Sequence, residues 1–302
     1  MNKYTAVICF GEVLWDNLIE GRRVGGAPLN VCYHLTNNGI SGKIVSQIGR
    51  DENGTDLLAA INGLAVDTQF LRVSDTHPTS TVEVNLLGDG RVAYEILNNV
   101  AWDDIQLDPL VADAVKAADF FVYGSLAARN QVSRSTLFSY LKLARWAVFD
   151  VNFRQPFYTK ELIVDLMTHC NTLKINDDEF AEISAWLGVN EETEQRAVVH
   201  FFERFPRLSE IILTKGALGA VYFDRHTTVA VNAVTIDCVN TVGSGDAFLA
   251  AFLAYRISNK SVREAMDYAA LLSAFVAAHD GACPAYSDEE LQDFNMRTPG
   301  SA

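Results

Sequence analysis

The chain reads as an α/β protein built on a mostly parallel sheet, and three features of its 302 residues point there. Short apolar runs rich in Val, Ile and Phe alternate with segments of helical period, the pattern of parallel strands joined by crossover helices. One stretch breaks that rhythm and alternates polar and apolar residues around a glycine turn, as a hairpin does. The composition, 49% hydrophobic and 21% charged with 7 prolines, suffices for a large buried core. The length fits either two domains of roughly 150 residues or one α/β domain with a small addition, and composition does not choose between them.

Taken in order, strands are predicted over 6–10, 43–47, 120–123, 147–150, 172–175, 210–214 and 220–223. Being apolar without alternation, most of them belong in a parallel sheet buried on both faces. Helices are predicted between them, over 28–37, 55–61, 108–117, 135–144, 160–168, 179–187 and 194–205. The exception to the rhythm is residues 80–87, the turn Gly88-Asp89-Gly90, and residues 91–96. With residues 14–20 this hairpin is expected to form a small antiparallel sheet standing off the main one, as a lid or a subunit surface. An edge hairpin of the main sheet is the plainer alternative. Glu191, Glu192 and Glu194 fit a solvated helix start, where carboxylates favour the dipole.

Against 38 acidic residues stand 24 basic ones, a formal charge of -14. That disfavours nucleic acid and anionic membrane surfaces as partners. The five cysteines are odd in number, far apart and without a C-x-x-C pair, and the six histidines lack zinc-ligand spacing, which fits a reducing compartment. No apolar run reaches the roughly 18 residues of a membrane span. The N-terminus runs into Gly11-Glu12 as a first strand with no small-residue cleavage site, so a cytoplasmic location is expected.

Chemistry concentrates after Cys238. Gly243 and Gly245 allow a tight turn with unencumbered N–H groups, and a helix is predicted to begin near Asp246. Such a turn cradles an anion, and a carboxylate at the same point is placed to take a proton from an attacking hydroxyl. An ordinary βα turn with an N-cap Asp accounts for the same residues. Other glycine motifs fit worse: the third glycine of a dinucleotide fingerprint would fall at Phe248, no Walker-type sequence occurs, and Val242 breaks the frame of a hydrolase elbow around Ser244.

Five segments carry a resemblance over nearly the whole chain: Gly25-Gly26-Ala27-Pro28-Leu29-Asn30, Asp150-Val-Asn152-Phe-Arg154, Asn176-Asp-Asp-Glu179, Thr214-Lys-Gly216 and Thr241-Val-Gly-Ser-Gly-Asp246. Their order and spacing resemble the ribokinase-like (phosphofructokinase B-type) carbohydrate kinases, and Gly11-Glu12-Val-Leu-Trp-Asp16 looks most like fructokinases. The resemblance implies one ribokinase-like domain over 1–302, a three-layer α/β/α fold with a mostly parallel sheet, and a small antiparallel β lid from about 13–24 and 79–98. It implies transfer of the γ-phosphate of ATP, with Mg²⁺, to a sugar hydroxyl, fructose first.

On this resemblance Asp246 is the catalytic base, the N–H groups of Gly243, Ser244 and Gly245 form the anion hole, and Arg154 faces the γ-phosphate. Asn176, Thr214, Lys215, Gly216, Gly219 and Gly281 would meet the nucleotide, and Glu179 with Asn176 would organise the metal. Asp16, Gly25, Gly26, Asn30 and Asn98 would meet the sugar, the glycines by letting ligand approach the backbone. Plainer readings exist: Lys215 as a solvated turn residue, 177–179 as an acidic helix start, and Asp16 or Asn30 as turn formers. Members with a monovalent-cation site carry Asp-Thr-Thr where this chain has Asn240 and Val242, so potassium activation is expected to be weak or absent. A nucleoside, 2-keto-3-deoxygluconate or sugar-phosphate kinase, and a non-catalytic sugar or nucleotide sensor, are the alternatives. The hairpin edge offers a route to a homodimer.

Overall fold

Residues 6–18, 21–86 and 92–297 are described in a computed structural model. The first half of the chain forms β1 (Ala6–Phe10), β2 (Leu14–Leu18), β3 (Gly21–Gly25), α1 (Ala27–Asn37), β4 (Ser41–Gly49), α2 (Glu52–Gly63), β5 (Leu71–Ser74), β6 (Thr81–Leu86), β7 (Val92–Ile96), α3 (Pro109–Ala117), β8 (Phe120–Gly124), α4 (Gln131–Leu141) and β9 (Ala147–Asp150). The second half adds α5 (Lys160–Met167), β10 (Thr172–Asn176), α6 (Asp177–Leu187), α7 (Glu194–Arg204), β11 (Glu210–Thr214), β12 (Ala220–Asp224), β13 (Thr228–Val231), α8 (Ser244–Ile257), α9 (Val262–Ala277) and α10 (Asp288–Arg297).

The period of two along β1 explains the layering. Ile8 and Phe10 point into one apolar cluster, shared with Val111 of α3, Tyr140 of α4, Ile163 of α5, Ile183 of α6 and Phe201 of α7. Val7 and Cys9 point into the other, with Leu29 of α1, Ile61 of α2, Phe252 of α8 and Met266 of α9. A strand buried on both faces therefore sits between two helical layers, the α/β/α arrangement the sequence predicts.

The main sheet runs β13-β12-β11-β10-β9-β8-β1-β4-β5, parallel from β11 to β5 and antiparallel at β12 and β13. From β1 the chain builds outward to β4 and β5, then returns to β8 on the other side and continues to β11. The direction of winding reverses between β1 and β8, and in open α/β sheets a crevice opens at the carboxyl ends of the strands there.

The hairpin of β6 and β7 belongs to a separate four-stranded sheet in the order β3-β2-β6-β7. Two antiparallel pairs are joined by a short parallel pairing of Trp15 and Asp16 with Thr81 and Val82. The predicted turn Gly88-Asp89-Gly90 and residues 19–20 lie outside the described residues. Trp15 Nε1 donates to Asn53 O at 3.0 Å and Arg22 lies 4.0 Å over the Trp15 ring, which ties this sheet to α2.

Some boundaries move for local reasons. The helix expected over 135–144 is α4, which starts at Gln131 because Asn130 caps it by accepting from Val132 N. The helix expected over 55–61 is α2, which starts at Glu52 because Asp51 accepts from Gly54 N. The sequence reading leaves β3, β5, β13, α9 and α10 unassigned. Among the described residues no helix is long and apolar enough to cross a membrane.

Helix α8 is buried along residues 246–254 between α1 and α9, and Phe252 is fully enclosed with its ring 6.0 Å from Tyr222. Truncating Phe252→Ala is expected to cost about 3–5 kcal/mol. This reads out as a lower urea midpoint at unchanged m-value. An unchanged midpoint would contradict the packing of α8 described here.

Candidate active site

Because β8 to β11 run parallel, their carboxyl ends share one edge, and the register sets what lies side by side there. Gly124 pairs with Asp150, Asp150 with Lys174, and Asn176 with Thr214. The segments leaving this edge carry Glu12, Asn152 to Arg154, Asn176 to Glu179, and Lys215 to Gly219.

The head of α8 closes the site. Gly243 precedes the helix in the left-handed region at φ 77°, and a Cβ there would overlap Ala282, so only glycine fits. Ser244 N donates to Thr241 O at 3.2 Å and Ser244 Oγ donates to the same oxygen at 2.8 Å. Of the three N–H groups expected to form an anion hole, that of Ser244 is thus already engaged in closing the turn. Those of Gly245 and Asp246 lie in the first helical turn and have no intrahelical acceptor.

Asp246 is 8% exposed, and Asn30 Nδ2 donates to its Oδ2 at 2.8 Å. Cys283 Sγ donates in turn to Asn30 Oδ1 at 3.4 Å. Burial pushes the Asp246 carboxyl up to about 6, and Asp150 adds repulsion; the Asn30 bond and the charges of Lys174 and Arg154 act against both. Such a group is ionised at neutral pH yet still a competent proton acceptor.

Sequence reasoning missed Lys174. Its Nζ donates to both oxygens of Asp150, at 2.8 and 3.0 Å, in a pair that is less than a tenth exposed. A Cβ on Gly245 would lie 3.3 Å from that ammonium, so the bare glycine lets a buried cation stand directly behind the turn. Burial works against the charge on Lys174, but the charge and hydrogen bond of Asp150, joined by Asp246 and Glu179, together outweigh it and the pKa is raised. The signal was available: a lysine inside the apolar strand Thr172-Leu-Lys-Ile-Asn is an anomaly. Glu12 was also passed over. It is buried, its Oε1 accepts from Ala27 N at 3.2 Å, its Oε2 has no partner, and burial pushes it up to about 7.

Asn176 and Glu179 form a reciprocal cap at the start of α6. Asn176 Oδ1 accepts from Glu179 N at 2.8 Å, while Glu179 Oε2 accepts from Asn176 N at 3.0 Å and Oε1 from Phe153 N at 2.8 Å. No group of three metal-ligating side chains occurs among the described residues. Each Glu179 oxygen keeps lone pairs beyond its backbone bond, which suits holding the water shell of a Mg²⁺ whose remaining ligands are phosphate oxygens.

On the acceptor side, Asp16 lies on β2 and Gly25 on the paired β3, where a Cβ would overlap the Asp16 carboxylate. Gly26 has φ 120°, and a Cβ on it would overlap the Glu12 carbonyl. The space a side chain would take at these two glycines is filled by protein, which is what requires glycine at both. Burial pushes Asp16 up to about 6, with Arg154 opposing. Arg154 is exposed and donates to Phe153 O at 2.9 Å, and its charge acts on Glu12, Asp16 and Asp246 alike.

The remaining candidates are more scattered. Asn98, with Asn99, lines a cavity of about 490 Å³ shared with Asp103, Arg129, Asn130 and Tyr158, and neither Asp16, Asn30 nor Asp246 lines it. Lys215 is neither free nor merely solvated, because it pairs with Glu194 at 2.6 Å. Thr214 Oγ1 donates to Ile175 O at 3.5 Å, Gly216 opens a short exposed turn, and Gly219 is packed against the Val231 carbonyl. Gly281 sits by the small sheet instead of that turn: its Cβ position is 3.6 Å from Arg23 Nη1, and Arg23 pairs with Asp280.

Comparison with known proteins gives this geometry a family setting. A family model described as pfkB family carbohydrate kinase matches residues 19–289. A protein named probable fructokinase-7 from Arabidopsis thaliana is 27% identical, covering 97% of this chain and 93% of its own length. The solved structure of a fructokinase with bound ATP from Xylella fastidiosa superposes with a TM-score of 0.85 at 19% identity, over 98% of this chain and 99% of that one. A fructokinase from Vibrio cholerae O395, solved with fructose, ADP and calcium bound, gives 0.79 at 19% identity over 97% and 99%.

A buried carboxylate raised above its ordinary value costs stability, and the sign of the linkage is definite. The folded chain binds the Asp246 proton more tightly than the unfolded one, so this group stabilises the fold most below about pH 4 and progressively less as pH rises to about 6. Asp246→Asn is therefore expected to be more stable than the wild type by about 1–3 kcal/mol at pH 7.5. The gain should shrink toward pH 4. Thermal unfolding at the two pH values checks this, and a variant less stable at pH 7.5 contradicts it.

Proposed function

The chain belongs to the pfkB family of carbohydrate kinases, and on that footing we propose that it phosphorylates fructose with ATP, Asp246 serving as the base. The observation that carries this reading is a single ionisable carboxylate, held by Asn30 at the head of α8, beside helix-turn N–H groups and in front of Lys174. A primary hydroxyl of the sugar gives its proton to Asp246 as its oxygen attacks the γ-phosphorus in line, and the bond to the β–γ bridging oxygen of ATP breaks. The protein supplies positioning and charge stabilisation more than covalent chemistry. The N–H groups of Gly243, Gly245 and Asp246, with Lys174 and Arg154, are the donors for the transferring group. Glu179 and Asn176 would hold the waters of Mg²⁺, which when bound neutralises charge on the phosphates.

A neutral acceptor is favoured over a phosphorylated or carboxylated one. The close pair Arg22 and Arg23 is already committed: Arg22 donates to Asn53 Oδ1 at 2.6 Å and faces Asp56, and Arg23 pairs with Asp280. A non-catalytic sensor is disfavoured because the base, Asn176 and Glu179 are all present. Asn240 carries no carboxylate, and its Oδ1 accepts from Val242 N at 3.0 Å, so potassium activation is proposed to be weak or absent. The charge of -14 supports small-molecule partners in place of nucleic acid or membrane, in a cytoplasmic setting. Edge strands β3 and β7 of the small sheet give a second copy a surface to pair with.

ADP release across a panel of neutral sugars, nucleosides, sugar acids and sugar phosphates with MgATP tests the substrate. Fructose should give the highest kcat/KM, and a larger value for a charged acceptor would overturn the choice. Asp246→Asn should lower kcat about 10²–10⁴-fold with ATP affinity nearly unchanged. Turnover within twofold of the wild type would remove Asp246 from the mechanism. Rates in potassium and in a bulky organic-cation buffer should agree, and a large potassium-specific gain would refute the cation proposal.

A further inference from the structure

We propose that Arg129 is a positioning residue that locks the exit of the small sheet to the loop carrying Arg154, so that the two approach the reacting atoms as one unit. The inference rests on the kinase reading for its kinetic consequences, and on side-chain geometry alone for the lock itself. Arg129 follows β8, and its guanidinium is nearly enclosed, with the side chain 5% exposed. Nε donates to Asp103 Oδ1 at 2.7 Å, and Nη2 donates to Asp103 Oδ2 at 2.8 Å and to Leu97 O at 2.5 Å. Leu97 is the residue immediately after β7. Asp103 Oδ2 also accepts from Val100 N at 3.2 Å, so the whole exit segment from 97 to 103 is folded around this one cation.

The flat faces of the guanidinium are used as well. Its central carbon lies 4.0 Å from the Trp102 ring centre and 4.6 Å from that of Phe157. Phe157 N donates to Arg154 O at 2.8 Å, closing the turn that presents Arg154. The backbone under the lock is itself pinned by α4, since Arg134 Nε donates to Ala128 O at 2.6 Å and Arg134 Nη2 to Arg129 O at 3.1 Å. One side chain therefore touches the exit of the small sheet and the Arg154 loop at once.

Lysine keeps the charge but has neither the planar fork for Asp103 and Leu97 nor faces to stack on two rings. Arg129→Lys is accordingly expected to lower kcat about tenfold or more through displacement of the Arg154 loop, since small misplacements at reacting groups carry costs of that order. KM for ATP should stay within about twofold. Phe157→Leu, which opens one face of the stack without stranding a buried charge, should shift kcat in the same direction by less.

The deciding experiment is a double-mutant cycle on the full chain, joined to hydrogen exchange. If Arg129 acts through Arg154, adding Arg129→Lys to Arg154→Lys costs less than about twofold further in kcat, the sign of coupled residues. Effects that multiply would overturn the proposal. In Arg129→Lys, backbone exchange should quicken over 97–103 and 153–158 together. Unchanged protection over 153–158 would equally defeat the lock. The exchange arm needs no turnover, so a wild-type chain that phosphorylates no sugar would sink the kinase reading while the exchange result still decides the lock.

Discussion

The hydrogen bond from Asn30 to Asp246 is the contact on which the site depends, because it fastens α1, which follows the small sheet, to the head of α8. An ionised carboxylate that is 8% exposed persists only where donors and nearby cations offset its burial. One turn further along α1, His34 extends the same device. Burial pushes its imidazole down to about 4, so it is neutral, and with the Ala282 carbonyl as an acceptor its Nε2 donates there at 2.9 Å while Nδ1 accepts from Tyr286 at 3.0 Å. Ala282 in turn fills the space against Gly243. A single face of α1 thus holds both the carboxylate and the strand of chain that backs the glycine turn.

Charge is distributed around that contact in a way that marks where an anion belongs. Glu12, Asp150 and Glu179 lie at one edge of the main sheet, with Asp246 on α8 and Asp16 on the small sheet, and burial raises Glu12, Asp16, Glu179 and Asp246 above their ordinary values. Against them stand Lys174, committed to Asp150 behind the turn, and Arg154, which is exposed. Both cations act on the Asp246 carboxylate. The formal charge of -14 on the whole chain does not bar an anion from this edge, because screening over about 8 Å separates it from distant surface carboxylates.

The parts of the fold legible in the sequence are those whose residues have one reason to be where they are. Ala6–Phe10 is apolar on both sides and must be a central strand; Gly243 sits in a left-handed turn against Ala282 that no other residue type fits. Strands β3 and β5 escaped notice because Gly-Arg-Arg-Val-Gly and Leu-Arg-Val-Ser are edge strands with charged, half-exposed faces, and tertiary pairing outweighs their weak local preference. Helix α9 is left unassigned although Ser261 and Glu264 form a reciprocal cap before an apolar run, a signal the sequence reading does not use. At the site, the glycine turn and helix start at Asp246 were legible, whereas Asn30 was expected to meet a sugar and its bond to Asp246 was not foreseen. Lys174 left a sign, a lysine within an apolar strand, that went unread, and Arg129 left none, since its meaning appears only once Asp103 is seen beside it. That the Asp16 carboxylate and the Glu12 carbonyl fill the side-chain space of Gly25 and Gly26 was not legible, because a missing Cβ does not say what lies there.

The pH dependence of kcat/KM with fructose, the proposed acceptor, tests the proposed role of Asp246 most directly, because it reports the ionisation of a free enzyme's essential base. An acid limb with an apparent pKa near 6, moving upward when Asn30→Ala removes the donor, is the result these contacts require. A profile that stays flat from pH 7.5 down to about 4.5, or a limb unmoved in Asn30→Ala, would contradict them.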